Sequence, residues 1–138
     1  MPFRLIVPAS LHDEMVKHAK AERPNECCGL LAGHRAADGW HVQSLHRLVN
    51  ELASPVEYTS EPRSMLAAMR AMDAAGQELL AVYHSHPSSP PVPSQKDLAR
   101  NPFEDVLHVI LGLADSEVQA RAWLLGPDSF REATYEVE

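Results

Sequence analysis

Cysteine is nearly absent from this chain, with two in 138 residues, Cys27 and Cys28, side by side. Adjacent cysteines cannot staple distant segments, and the Cys-x-x-Cys spacing that marks thiol metal or redox sites is missing. Neighbours on a strand point to opposite faces, so the two thiols read as small core residues of a protein kept in a reducing, cytoplasmic setting. Basic residues are also in short supply. Lys and Arg number 12 against 19 Asp and Glu, and the formal net charge of −7 argues against nucleic acid as a partner. Arg35, Arg47, Arg63, Arg70 and Arg100 could form a local basic patch for an acidic protein, though scattered solubilising charge explains most of them. No apolar run is long enough to span a bilayer, so no membrane role is expected. The opening Met-Pro-Phe-Arg-Leu-Ile-Val lacks the apolar stretch and cleavage site of a signal peptide. Repeats, linkers and low-complexity segments are absent too. A hydrophobic content of 45% with 22% charged residues is that of a globular protein, and one domain over residues 1–138 is expected.

The elements follow from patterning. Phe3–Val7 reads as an opening strand. After Pro8, Ser10 is expected to cap a helix carrying Leu11, Met15, Val16 and Ala19 on one side, and Pro24 ends it or its exit turn. From Cys27 a small, apolar strand follows, in which Gly29 should let another backbone or a ligand come close. Asp38-Gly39 is a hairpin signal leading into a Trp40–Val49 strand. Asn50–Pro55 reads as loop and Val56–Thr59 as a short strand. Ser60, with Pro62 in the first turn, opens a second helix whose Leu66, Met69, Met72 and Ala75 should face the sheet, and Gly76 stops it. Further strands are expected at Val106–Leu111, Val118–Leu125 and, as a closing edge, Ser129–Val137. This order gives an α/β fold, a mixed central β-sheet flanked by helices. His34, His41 and His46 read as surface histidines, and His108 as a satisfied core residue.

The chemistry concentrates between His84 and Asp97. Glu78–Tyr83 is a buried strand, and if it runs through His86, then His84 and His86 project from one face while Ser85 points away. Pro87 cannot donate to a sheet ladder and ends the strand, and Pro90, Pro91 and Pro93 stiffen the connection to Ser94 by fixing φ. Ser94 is a good N-cap, with Asp97 at the third helical position behind it, so both can face the histidines. Asn101-Pro102 should cut this helix short. Two imidazoles and one carboxylate form a three-ligand zinc set that leaves the fourth tetrahedral position to water, the mark of a catalytic rather than a structural zinc.

His84-Ser-His86-Pro87, six residues, Ser94, two residues and Asp97 match the H-x-H-P-x6-S-x-x-D signature at every fixed position. In this the chain resembles the JAMM (MPN-plus) metallopeptidases, a fold related to the zinc cytidine deaminases. The resemblance implies one zinc per chain on His84, His86 and Asp97, with a catalytic water, and Ser94 stabilising the tetrahedral intermediate. It also implies that Glu26, the one acid at the entrance of the early strand and set in a similar Glu-x-Cys-Gly context, is the general base. The implied activity is amide hydrolysis. Small bacterial and archaeal members resemble enzymes that process the Gly-Gly C terminus of ubiquitin-like sulfur-carrier proteins, and there is no room for the insertions by which larger relatives grip ubiquitin. A less selective zinc peptidase and a non-catalytic MPN scaffold are the alternatives. A deaminase is excluded by the missing Pro-Cys-x-x-Cys half of its site. Oligomeric state stays open.

Overall fold

The computed structural model describes residues 3–99, 101, 103 and 105–138. In chain order the elements are β1 (Arg4–Val7), α1 (Ala9–Ala21), β2 (Cys28–Ala36), β3 (Gly39–Leu48), α2 (Pro62–Ala74), β4 (Glu78–His86), α3 (Gln95–Ala99), β5 (Leu107–Gly112), β6 (Gln119–Leu125) and β7 (Phe130–Val137). Pro102 and Arg100 lie outside the described residues, so the expected Pro102 stop is not among the features seen; α3 ends at Ala99.

The sheet is mixed, as expected, but it closes on itself in the order β1-β3-β2-β4-β5-β6-β7. Patterning marks β7 as an edge. It instead pairs antiparallel with β6 and parallel with β1, from Arg4↔Thr134 to Val7↔Val137, so it seals the barrel. The Arg4 guanidinium spans this seam to the Glu136 carboxylate at 2.7 Å. Pairing of the first strand with the last is a contact between chain ends, which local patterning cannot encode. Rather than an open sheet flanked by helices, the strands form a closed barrel, and α1 and α2 each join an apolar cluster with them. Met15 and Ala19 of α1 pack with Leu31, Ala81, Tyr83, Val109 and Leu111. Ala68 and Met72 of α2 pack with Cys28, Leu30, Val82 and Val106, on the opposite side of the same strands.

Several local features differ from the patterning. Ser10 does not cap α1: the Pro8 carbonyl accepts from the Leu11 and His12 amides, and the helix starts at Ala9. Ser60 does not cap α2 either. The Glu61 carboxylate does, accepting from the Arg63 and Ser64 amides at 2.9 and 2.8 Å, which hold its pKa below the usual value. The inward stripe of α2 is Met65, Ala68 and Met72, while Leu66 and Met69 are exposed. No strand forms over Val56–Thr59; that segment is looped around Asn50, and only an isolated Asn50↔Ser60 bridge remains. At Gly29 the visitor is a side chain rather than backbone or ligand, since a Cβ there would lie within the Tyr83 ring. The hairpin at Ala37-Asp38 and the stop at Gly76, with φ +67°, form as patterned.

Candidate metal centre

β4 runs through His86, so His84 and His86 lie on the face that α2 covers and Ser85 on the other. Ser85 has a positional task. Its Oγ accepts from the Cys27 amide at 2.9 Å, and its own amide donates to the Cys27 carbonyl at 3.2 Å. With Cys28 paired to His84, this extends the β2–β4 register so that Glu26 comes opposite His86, on the face of the two imidazoles. A separation of 60 positions in the chain is thus closed by two neighbouring strands.

The loop after Pro87 is tied from two sides. The His86 Nδ1 donates to the Pro90 carbonyl at 2.8 Å, and Trp123 Nε1 donates to the Pro91 carbonyl at 2.9 Å. Gly112, registered with His86, leaves room for the turn, because a Cβ there would approach Pro91 Cδ to 2.7 Å. The chain then enters α3 through a reciprocal cap. The Asp97 amide donates to Ser94 Oγ at 3.1 Å, and the Ser94 amide donates to Asp97 Oδ2 at 2.8 Å. That cap turns the Asp97 carboxylate onto the imidazoles, with Oδ1 at 3.2 Å from His84 Nε2 and Oδ2 at 3.1 Å from His86 Nε2.

The donor set fits a tetrahedral cation. Zinc bonds of about 2.0–2.1 Å at tetrahedral angles set donor atoms roughly 3.3 Å apart. The two Nε2 atoms are 3.2 Å apart, close to both carboxylate spacings. Because the Pro90 carbonyl fixes the His86 proton on Nδ1, that ring presents a lone pair to its neighbours. Lone pairs and a carboxylate converging on one point repel unless a cation lies between them. In the protein alone the three groups compensate by titration. Burial holds His84 below its usual pKa. At His86 burial is outweighed by the Asp97 carboxylate and the Pro90 carbonyl, which raise it. At Asp97 burial is likewise outweighed by the two imidazoles and the Ser94 amide, and the carboxyl is held far below its ordinary range. Among the described residues this is the group of His, Cys, Asp and Glu able to hold a metal.

Glu26 is 3% exposed, and its Oε1 has no hydrogen-bond partner. Burial pushes its carboxyl up to about 8, with His86 opposing and Asp97 adding to the shift. Its backbone is pinned instead: the amide donates to the Ser54 carbonyl at 2.8 Å, and its carbonyl accepts from Asn50 Nδ2 at 3.0 Å. Asn50 also holds the 51–59 loop, donating to the Glu57 carbonyl and accepting from the Leu52 and Thr59 amides. That loop delivers Tyr58, whose ring stacks on His84 with centroids 4.8 Å apart. Tyr58, Phe103, Lys96 and Asp97 line a cleft of about 120 Å³ beside the donor triangle.

Sequence reasoning missed Tyr58, Asn50, Trp123 and Gly112. Asn50 in a turn-rich loop was a usable signal; Trp123 and Gly112 act across strand pairs and Tyr58 through the loop Asn50 holds, and these carry none. Cys27 and Cys28 are free and buried, and burial pushes each thiol up to about 12, as small core residues require. His34 and His41 stack on each other away from the centre, at 5.3 Å, and His46 lies near Ser44. Arg35 and Arg47 face Glu78 and Glu14. His108 departs from the expectation of a satisfied core residue, since it is buried but its Nε2 has no partner.

Residues 8–126 match the family model described as prokaryotic homologs of the JAB domain. A desampylase from Haloferax volcanii is 34% identical over 140 residues, covering 98% of this chain and 97% of its own. A probable TtuB-protein conjugate cleaving protease from Thermus thermophilus is 38% identical, covering 78% and 70%. A CysO-cysteine peptidase from Mycobacterium tuberculosis is 31% identical, covering 80% and 75%. The solution structure of protein DSY2949 from Desulfitobacterium hafniense superposes with a TM-score of 0.88 at 30% identity, covering 97% of this chain and 92% of that one.

Proposed function

Since the chain belongs to the prokaryotic JAB-domain family, we propose that it is a zinc-dependent peptidase acting on amide bonds at the Gly-Gly C terminus of a ubiquitin-like or sulfur-carrier protein. The observation that carries this reading is the buried Glu26 carboxyl, its Oε1 without a partner, on the same face as the His84–His86–Asp97 triangle. A structural metal site has no use for a fourth polar group so costly to bury. The names of the relatives, among them desampylase and CysO-cysteine peptidase, support the substrate class. We take residues 1–138 as one catalytic domain in a cytoplasmic setting. Among the described residues no helix is long and apolar enough to cross a membrane.

His84, His86 and Asp97 hold the metal. When bound, zinc supplies Lewis acidity, acidifying a water and polarising the scissile carbonyl. Glu26 takes the proton of the attacking water and passes it to the leaving nitrogen; its pKa of about 8 suits both halves of that transfer. Ser94 Oγ accepts from the Asp97 amide, which leaves its own O–H free to donate to the developing oxyanion. Tyr58 and Phe103 give one apolar flank of the cleft. A Gly-Gly tail suits such a groove because only glycine lets backbone approach the metal without a side chain in the way.

The test is to incubate the zinc-loaded protein with Gly-Gly-terminated carriers bearing C-terminal extensions or isopeptide-linked lysine. Cleavage after the second glycine, lost in His86→Ala along with near-equimolar zinc, is the expected outcome. Equal cleavage of tails lacking Gly-Gly would mean a less selective peptidase. A protein that binds zinc and cleaves none of them would be a scaffold.

A further inference from the structure

His84 binds through Nε2, the atom facing His86 and Asp97, so its ring proton must reside on Nδ1. That Nδ1 is buried and has no hydrogen-bond partner. A metal-binding histidine almost always donates its second nitrogen to an acceptor, which fixes the tautomer and the ring orientation. His86 follows this rule through the Pro90 carbonyl; His84 has no counterpart. Among the described residues, three buried side-chain polar atoms lack partners: Glu26 Oε1, His84 Nδ1 and His108 Nε2. Glu26 is accounted for by its role as base, and the remaining two are complementary, a donor and a potential acceptor.

They are also neighbours. β4 and β5 pair in parallel, with Val82 opposite His108 and His84 opposite Ile110. Registered residues of paired strands share a face, so His108 projects from the face of His84, one strand over and two residues back. Adjacent strands lie about 4.8 Å apart and two residues rise about 6.6 Å, so their Cα atoms are roughly 8 Å apart on the diagonal. Two imidazoles leaning toward each other span that gap directly or through a single water. His84 and His108 are 1% and 2% exposed, which excludes bulk solvent as the missing partner.

Resting on the zinc reading above, we infer that His108 is a positioning residue for the metal centre, its Nε2 accepting from His84 Nδ1–H, directly or through one water. It thereby aims the His84 ring, which Tyr58 braces from its face. The same bond explains why a strand that is otherwise apolar from Leu107 to Leu111 carries a histidine.

The measurement is zinc affinity by chelator competition at pH 7.5, on the parent, His108→Leu and His108→Gln, with melting temperatures of the metal-free proteins in parallel. Removing such a partner typically weakens metal binding about 10–100-fold. His108→Leu is expected to lose that much affinity while its metal-free form melts no lower than the parent, because an unpartnered polar nitrogen has been replaced by carbon. His108→Gln offers a carbonyl oxygen at the reach of Nε2 and is expected to recover most of the loss. Affinity of a folded His108→Leu within threefold of the parent overturns the assignment, as does a Gln variant no better than Leu. If Leu misfolds, the Gln variant and the nitrogen resonances of His84 in the zinc-loaded parent decide it: a slowly exchanging Nδ1–H supports the bond, and a rapidly exchanging one removes it. A parent that binds no zinc overturns the metal reading itself, an outcome distinct from equal binding by parent and variant.

Discussion

Replacing Glu26 by Gln should make this protein a far poorer catalyst and, at neutral pH, a more stable fold. The carboxyl is 3% exposed and its pKa rises to about 8 from an ordinary 4.5. A carboxyl raised in the folded state keeps a proton that the unfolded chain releases, so stability falls as pH climbs from 4.5 towards 8. At about 1.4 kcal/mol per pH unit, the burden at pH 7 is roughly 3 kcal/mol. The amide of Gln carries no such titration, but it is still a polar group without a partner and returns roughly 1–2 kcal/mol of that gain. A net stabilisation of about 1–2 kcal/mol corresponds to a rise in Tm of several degrees for a domain of this size. The assay is thermal unfolding of metal-free parent and variant from pH 4.5 to 8, beside turnover of the zinc-loaded forms on a Gly-Gly substrate. The advantage of the variant should grow with pH, vanish between about pH 5 and 6, and turn into a deficit of roughly 1–2 kcal/mol near 4.5. Turnover should fall by about 10²–10⁴, the usual contribution of a positioned general base. A stability difference that does not change with pH, together with parental turnover, would refute both the buried-base geometry and the mechanism built on it.

Three further outcomes are expected. The thiols of Cys27 and Cys28, each 1% exposed and with pKa near 12, should react with a disulfide reagent only as fast as the protein unfolds; rapid modification of folded, zinc-loaded protein would contradict their place in the core. Gly112→Ala puts a methyl 2.7 Å from Pro91 Cδ, so it should cost about 1–3 kcal/mol and reduce zinc affinity by displacing the turn whose Pro90 carbonyl orients His86; unchanged urea unfolding and chelator competition would show that the turn has slack. His18, buried against Tyr83 at 2.6 Å, has its pKa lowered to about 4 by burial, with Arg47 adding to it. The unfolded chain then takes up a proton that the folded protein refuses, so stability should drop by about 3 kcal/mol between pH 6.5 and 4. His18→Gln should flatten that part of the profile, and an identical slope in the variant would assign it elsewhere.

The parts of this protein legible in its sequence are those whose partners are close along the chain. His84 and His86 share a face because a strand alternates, and Ser94 and Asp97 cap each other because a helix start places them one turn apart. The whole donor triangle is therefore contained in a 14-residue segment. The hairpin at Ala37-Asp38 and the stop at Gly76 were readable for the same reason. Glu26 was found through its resemblance to a family pattern, but its position opposite His86 comes from the β2–β4 register, held by Ser85 and the Cys27 backbone. Trp123 and Gly112 reach the Pro90–Pro91 turn across strand pairs, and Tyr58 reaches His84 because Asn50 folds a loop over it. Where two readings competed locally, context chose between them. Glu61 displaced Ser60 at the amides of α2, and packing against the strands turned Met65, Ala68 and Met72 inward rather than Leu66 and Met69. Closure of the sheet by β1 and β7 joins the two ends of the chain, and His108 meets His84 only because β4 and β5 are parallel neighbours. Short-range rules determine which side chains share a face; which faces meet is decided by burial and hydrogen bonding summed over the whole sheet, and no window of the sequence contains that sum.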